Sequence, residues 1–158
     1  YKEKFYNELF TKYNKLNLNN ILSKSEKHKA HYIAAYKIFK DNYIFGVGLK
    51  NFRNESGKQK YKNDNSKIKA WSTHPHQIHL EFLSETGLVG YVVFILFFFV
   101  SIFKGLKNYF YNKNLYVLAG TLFIFTTFLP IIPSGSFFTT YGATIFWINY
   151  SLINLRKI

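Results

Sequence analysis

Three uninterrupted apolar runs dominate the second half of the chain: Leu88–Phe103, Leu115–Ile132 and Phe137–Asn154, each 16 to 18 residues long and without a charge. A helix needs roughly 17 to 25 predominantly apolar residues to cross about 30 Å of hydrocarbon, so the pattern predicts three transmembrane helices. "PSGSFF", Pro133–Phe138, makes a short turn between the last two, and Pro130 and Pro133 are tolerated near a membrane end. Ahead of Leu88 the pattern is polar. "EKHKAHYIAAYKIFKDN", Glu26–Asn42, spaces Ile33, Ala34, Tyr36, Ile38 and Phe39 at helical intervals and stops before "GVG". "RNESGKQKYKNDNSKIKA" after Phe52 reads as a loop, and Trp71 reopens the ordered part. Lys2–Leu22 reads as an interfacial amphipathic helix or a loop. The expected fold class is thus all-α: a polytopic membrane protein fragment with an outer region of short helices over 1–87 and three membrane helices over 88–158.

Composition supports a solvent other than water, since 48% of the residues are hydrophobic and 21% aromatic, with 18 Phe and 13 Tyr. The absence of methionine, and of a signal-like run in Tyr1–Asn20, makes the chain read as the C-terminal part of a longer protein. With no cysteine, disulfides, thiolate nucleophiles and thiolate metal sites all drop out. The net charge of +13 divides unevenly: sixteen cations face eight acids before Leu88, while the five cations after it meet no acid. Three of those five lie in "KGLKNYFYNKN", Lys104–Asn114, and two in the final "RKI", whereas Pro133–Ser136 has none. By the positive-inside rule the first connection and the C-terminus are cytoplasmic, which puts Ser134 and everything before Leu88 outside.

The densest titratable cluster, "STHPHQIHLEFLSETG", stands directly before the first apolar run. His74, His76 and His79 offer three nitrogens to a metal, but Pro75 keeps them off one regular helix and no H-E-x-x-H pattern is present. A helix starting near Pro75 puts His76, Leu80, Leu83 and Gly87 on one stripe and Glu85 about 180° from His76, so a direct dyad of those two is not expected. Glu85 then reads as a carboxylate satisfying backbone donors where one helix ends and the membrane helix begins.

"GVGLKNFR" (Gly46–Arg53), then "STHPHQIHLEFLSETGLVGY" (Ser72–Tyr91) and "PSGSFF" together resemble the core of the O-antigen ligase and polymerase family. The H-x-x-x-L-x-x-x-x-E-x-G-x-x-G pattern from His76 to Gly90 is the most specific part. The resemblance implies a bacterial inner-membrane glycosyltransferase of cell-surface polysaccharide, including lipopolysaccharide, with its active-site loop in the periplasm. It implies an undecaprenyl-diphosphate-linked glycan donor, a glycan or lipid A-core acceptor, membrane lipids as surroundings, and no metal, cofactor or nucleic acid. Histidine suits activation of an acceptor hydroxyl, and the family's motif histidine falls on His76. Arg53, the one arginine before the last three residues, suits a diphosphate through its planar fork, with Lys50 and His74 as supporting contacts. Gly46, Gly48, Glu85, Gly87 and Gly90 are structural members of the motif. Family members commonly have an arginine opening the helix before the G-x-G turn and often a proline near residue 43. Here those positions are His28 and Tyr43, and a protonated His28 takes the phosphate role. The family's further membrane helices are absent, so this chain alone is expected to be inactive. Two other classes use the same features differently: a scaffold or transport component, and a hydrolase with a metal on His74, His76 and His79.

The lysine asymmetry yields a direct expectation. A reporter fused after Lys113 is cytoplasmic and one fused after Ser134 is periplasmic; the opposite labelling overturns the orientation.

Overall fold

The computed structural model describes residues 18–61, 71–130 and 133–155. All regular elements among them are helical: α1 (Leu18–Asp41), α2 (Phe52–Glu55), a 3₁₀ turn (Gln59–Tyr61), α3 (Ile78–Asn112), α4 (Leu115–Thr127) and α5 (Thr140–Leu152). The expected surface helix over Lys2–Leu22 falls outside the described residues up to position 17; α1 begins at Leu18.

α1 carries no Gly or Pro, and its later turns bury Ala30, Ala34, Ala35 and Ile38. Ala34, Ala35 and Ile38 pack with Phe52 and Tyr61 into a small core, against which Val47 and Leu80 rest. The helix stops where Asn42 uses both its backbone N–H and its side-chain amide on the Ile38 carbonyl, each at 3.1 Å. Ser56 Oγ donates to the Ser72 carbonyl at 3.2 Å and accepts the Ser72 N–H at 3.3 Å, tying the 3₁₀ region to the start of the histidine stretch.

α3 is two helical arms joined at Gly87, whose φ of 67° and ψ of −167° lie outside the helical region. The arms fold back on each other. Phe82 stacks on Phe94 with ring centroids 3.5 Å apart, and His79 Nδ1 lies 3.0 Å from the Tyr91 hydroxyl. In a straight helix residues twelve apart would be separated by about 18 Å. The break frees two carbonyls and two amides, and the 43–48 segment takes up all four. Val47 and Gly48 N–H donate to the carbonyls of Ser84 (3.0 Å) and Glu85 (2.8 Å), while Leu88 and Val89 N–H donate to those of Tyr43 (2.7 Å) and Ile44 (3.2 Å). The backbone is crowded there: a Cβ on Gly87 would fall 2.5 Å from the Gly46 nitrogen, and one on Gly46 would fall 2.6 Å from the Gly87 nitrogen.

The sequence expectations need two corrections. The helix expected to start near Pro75 starts at Ile78, with the Gln77 side chain accepting the Leu80 N–H at 2.7 Å, and the boundary expected near Glu85, where one helix ends and the next begins, is a reversal at Gly87. His76 therefore stands before the helix, not on a stripe with Leu80 and Leu83. The connection expected over Lys104–Asn114 is helical to Asn112, because its amides and aromatics continue α3 without a breaker, and the turn shrinks to Lys113, whose φ is 54°, and Asn114. Of the three expected spans, α3 is the one helix among the described residues long and apolar enough to cross a membrane; α4 and α5 have 13 residues each.

α4 runs back along α3 and α5 along α4 at close range. Gly105 faces the Thr121 side chain, and a Cβ on Gly120 would fall 2.6 Å from the Asn149 carbonyl, so small residues set both approaches. Asn108 Nδ2 on α3 donates to the Ile153 and Leu155 carbonyls at 2.8 and 2.9 Å, capping the end of α5. Between the helices, Phe82, Phe94, Phe98, Phe128 and Phe146 form an aromatic core with Ile78, Ile124 and Ile153.

The spliced break predicts a sharp difference between glycines. Gly87→Ala is expected to cost about 2 kcal/mol or more, from positive-φ strain and the clash with Gly46, seen as a lower melting temperature of the detergent-solubilised protein. Gly135→Ala, where a Cβ meets nothing within 4 Å, is expected to leave it unchanged. Equal melting of the two variants would refute the splice.

Candidate functional site

The loop before α3 brings histidines from two parts of the chain together. Pro75 precedes His76, whose backbone is left-handed with φ 61°, a costly conformation outside glycine that turns its ring toward α1. The His76 ring centroid lies 4.1 Å from His74, 5.1 Å from His28 and 5.4 Å from His31. His28 and His31 are themselves 6.4 Å apart, one turn of α1 bringing both to one face. Among the described residues, three buried ring nitrogens have no hydrogen-bond partner: Nδ1 of His28, Nδ1 of His31 and Nε2 of His74. His74 Nδ1 meets Thr73 Oγ1 at 3.0 Å, and His76 Nε2 lies 3.4 Å from Ser72 Oγ.

The electrostatics are those of an uncompensated imidazole cluster. Burial, followed by repulsion from His76 and His31, pushes His74 down to about 4. Burial also lowers His31, with repulsion from His76 and His28, and lowers His76, with repulsion from His28. Near neutral pH these rings are uncharged in the folded protein, so His76 holds a free lone pair, the form a general base requires.

His79 belongs elsewhere. Its Nε2 donates to the Phe128 carbonyl at 2.9 Å, since a carbonyl only accepts, which leaves Nδ1 to accept the Tyr91 hydroxyl at 3.0 Å. With both nitrogens engaged it braces the two arms of α3 against the end of α4. The trio His74, His76 and His79 is thus not brought together as metal ligands. Among the described residues no three His, Asp or Glu side chains are arranged to share a metal ion, and the His31 and His76 rings lie stacked, with an interplanar angle of 24°, so their nitrogens do not converge.

Two buried carboxylates fasten the surroundings. Glu85 accepts the Lys50 N–H at 2.6 Å and the Phe52 N–H at 3.2 Å, holding the loop after the G-x-G turn. Glu81 accepts the Ser136 hydroxyl and, at 2.9 Å, the Phe137 N–H. The 133–139 loop also gives its Ser134 N–H to the His76 carbonyl at 3.0 Å.

Of the residues singled out in the sequence, His28, His74 and His76 meet in one cluster. Lys50 and Arg53 stand instead at the Glu85 loop: Lys50 is left-handed with φ 58°, and Arg53 is exposed beside buried Phe52. Among the described residues no hydrogen bond or ion pair joins Arg53 to the imidazoles. Gly46, Gly48 and Gly87 all have positive φ, and Gly90 lies against Thr86. His31 and Glu81 were missed. The H-x-x-H spacing of 28 and 31 signalled the first, and the i,i+4 pairing of Glu81 with Glu85, the last acids in the chain, signalled the second.

This geometry can be compared with known proteins. Residues 23–95 match the O-antigen ligase family model. No curated protein and no solved structure matches the chain. The matched O-antigen ligase segment runs from α1 through the G-x-G splice and the imidazole cluster into the second arm of α3. The family is one of bacterial membrane proteins, and it supports a glycan ligase or polymerase type of role, that of a glycosyltransferase-like enzyme acting on lipid-linked glycan and polysaccharide.

The lowered histidines give a pH expectation whose sign follows from proton counting. Between about 4 and 6.5 the unfolded chain, with His74 at its ordinary 6.5, binds more protons at this residue than the folded one, so the His74 contribution to stability falls as pH drops. Burial pushes Glu81 up to about 7, which acts in the opposite sense, so the His74 part is read by difference: His74→Gln should raise the melting temperature relative to the wild type more at pH 5 than at pH 7. An unchanged slope in the variant would remove His74 from the cluster.

Proposed function

We propose that this chain is part of an inner-membrane glycosyltransferase that transfers or polymerises glycan from an undecaprenyl-diphosphate-linked donor onto a glycan or lipid A-core acceptor. The observation that carries the reading is His76: a neutral imidazole held in a left-handed turn within the matched family segment, with hydroxyls and further imidazoles around it. In this reading residues 1–87 form the periplasmic region with the active site. Residues 88–158 form the membrane part, with α4 and α5 completing three spans together with the loop residues around them.

The reaction asks for two things, a base for the acceptor hydroxyl and positive charge for a leaving diphosphate. The acceptor oxygen attacks the anomeric carbon from the face opposite the diphosphate and the configuration inverts. As the new C–O bond forms and the bond to the diphosphate oxygen breaks, the hydroxyl proton passes to His76 and the diphosphate leaves with one further negative charge. In this scheme His28 and His74, in ring contact with His76, meet that charge, and Arg53 and Lys50, on the loop held by Glu85, supply permanent charge. Neither a metal nor a nucleotide sugar enters this scheme.

In the intact protein in its own membrane, His76→Ala is expected to lower glycan transfer by about 10²- to 10⁴-fold at unchanged expression and insertion. Arg53→Lys, which keeps the charge and loses the bidentate fork, is expected to retain only part of the activity. Transfer assayed with purified lipid-linked donor decides: wild-type rates in His76→Ala would sink the assignment and favour a scaffold role.

A further inference from the structure

We propose that donor binding is coupled to proton uptake: when a diphosphate enters, His28, His31 and His74 together take up about one proton, while His76 stays neutral as the base. The inference rests on the reading that the site binds a diphosphate, and it adds His31 and a charge-switching behaviour to it.

The geometry has three parts. Four imidazoles from two segments crowd round one centre, with His76 in ring contact with each of the other three. Each of those three has a buried ring nitrogen that no group among the described residues satisfies, a poor arrangement for the cluster alone and a good one for donating to an anion. Finally, among the described residues no carboxylate is hydrogen-bonded or ion-paired to the imidazoles. Among the described side chains of α1 the ring neighbours are the histidines and Tyr32, whose ring is 6.2 Å from His28. The 72–76 loop offers the Ser72 and Thr73 hydroxyls, and the 133–136 loop offers a backbone amide. On α3, His79 is engaged by Tyr91 and Phe128, and Glu81 by Ser136 and Phe137. Glu85 is occupied by Lys50 and Phe52.

A cluster of this kind is neutral when empty because a charge on any ring is opposed by burial and by its neighbours, as the lowering of His31, His74 and His76 reflects. A diphosphate reverses the balance by bringing the negative charge that the cluster itself lacks. The first proton is then stabilised by hydrogen bonds to phosphate oxygens, and the same proton repels a second from His76. One ring becomes a phosphate ligand while the next remains a base. A permanently charged arginine at position 28 could not behave this way; a histidine there turns a fixed contact into a proton-linked one.

The test is calorimetric. The purified intact protein in nanodiscs is titrated at pH 7 with undecaprenyl diphosphate and, separately, with inorganic pyrophosphate, each in PIPES and in Tris, whose ionisation enthalpies differ. The expected result is a buffer-dependent heat corresponding to uptake of about one proton per lipid-linked ligand, and affinity that strengthens up to tenfold per unit fall in pH between about 8 and 7. Uptake should drop in His31→Gln and persist in His76→Gln. Uptake with pyrophosphate as well assigns it to the diphosphate chemistry, while uptake with the lipid alone makes the isoprenoid necessary for entry; both support the coupling. Binding with equal heats in the two buffers overturns the coupling and leaves the donor reading intact. Failure of both ligands to bind overturns the coupling, and the donor reading is then decided by transfer in His76→Ala. Loss of binding on adding a chelator would assign the imidazoles to a metal and likewise overturn it.

Discussion

The break at Gly87 is the constraint on which the remaining structure depends. A helix that stops hydrogen-bonding to itself inside an apolar environment leaves donors and acceptors that nothing there can satisfy, at a cost of several kcal/mol for each group in hydrocarbon. Here the missing partners come from residues 43–48, and the substitution is one for one: two carbonyls and two amides on α3 against two amides and two carbonyls on the loop. Because Gly46 and Gly87 touch backbone to backbone, neither position tolerates a side chain. The G-x-G stretch is therefore the missing turn of a distant helix, and it is no nucleotide loop. Its reward is the reversal of α3, without which the histidine loop would extend away from the bundle.

Two acids four residues apart convert that reversal into a site. Glu81 and Glu85 share a face of the first arm and are among the most buried polar side chains, 2% and 1% exposed. Each uses its carboxyl on a different loop, Glu85 on the Lys50 and Phe52 N–H groups and Glu81 on the Ser136 hydroxyl and the Phe137 N–H. A buried carboxyl satisfied in this way is costly to disturb, because removing it strands its donors. The three motif stretches, far apart in sequence, are thereby fastened to one nine-residue helical arm, and the imidazole cluster lies between the two anchored loops.

Much of this was legible, and what was not has a physical reason. Helix class followed from apolar periodicity, and α1 ended at Asn42 close to where its polar break predicted, because such signals are local. The family motif was legible as well; His28, His74 and His76 were singled out for their chemistry, but that their rings meet was not read from the sequence. A helix boundary near Glu85 was legible, but the reversal there was not, because the positive φ of Gly87 is imposed by a partner segment forty residues earlier. α3 also continues through Lys104–Asn112, where lysines marked a membrane boundary without marking a helix end. His31 was overlooked because its role depends on a ring from the far loop, and His79 was grouped with its sequence neighbours although its nitrogens serve Tyr91 and Phe128.

The fold-back also changes where the chemistry sits along the membrane helix. If α3 were straight, the histidine loop would stand more than two turns beyond Leu88, well clear of the apolar run. Reversed, the arm lays Phe82 on Phe94 and carries Ile78 into the aromatic core with Phe98, Phe128 and Phe146, so His76, two residues earlier, is brought level with the interior turns of the second arm. The shortness of α4 then has a geometric reason. The chain leaves α4 at Phe128, beside the end of the reversed arm, and the loop that follows gives its Pro130 carbonyl to Gln77 and its Ser134 amide to the His76 carbonyl. α5 starts at Thr140, directly after the Ser136 and Phe137 contacts to Glu81. In a buried position a cluster of neutral imidazoles is far less costly than a cluster of arginines, because a neutral ring gives up little hydration until an anion arrives to balance its proton. Histidine at position 28, read from sequence as a departure from the family, is the residue that this burial favours.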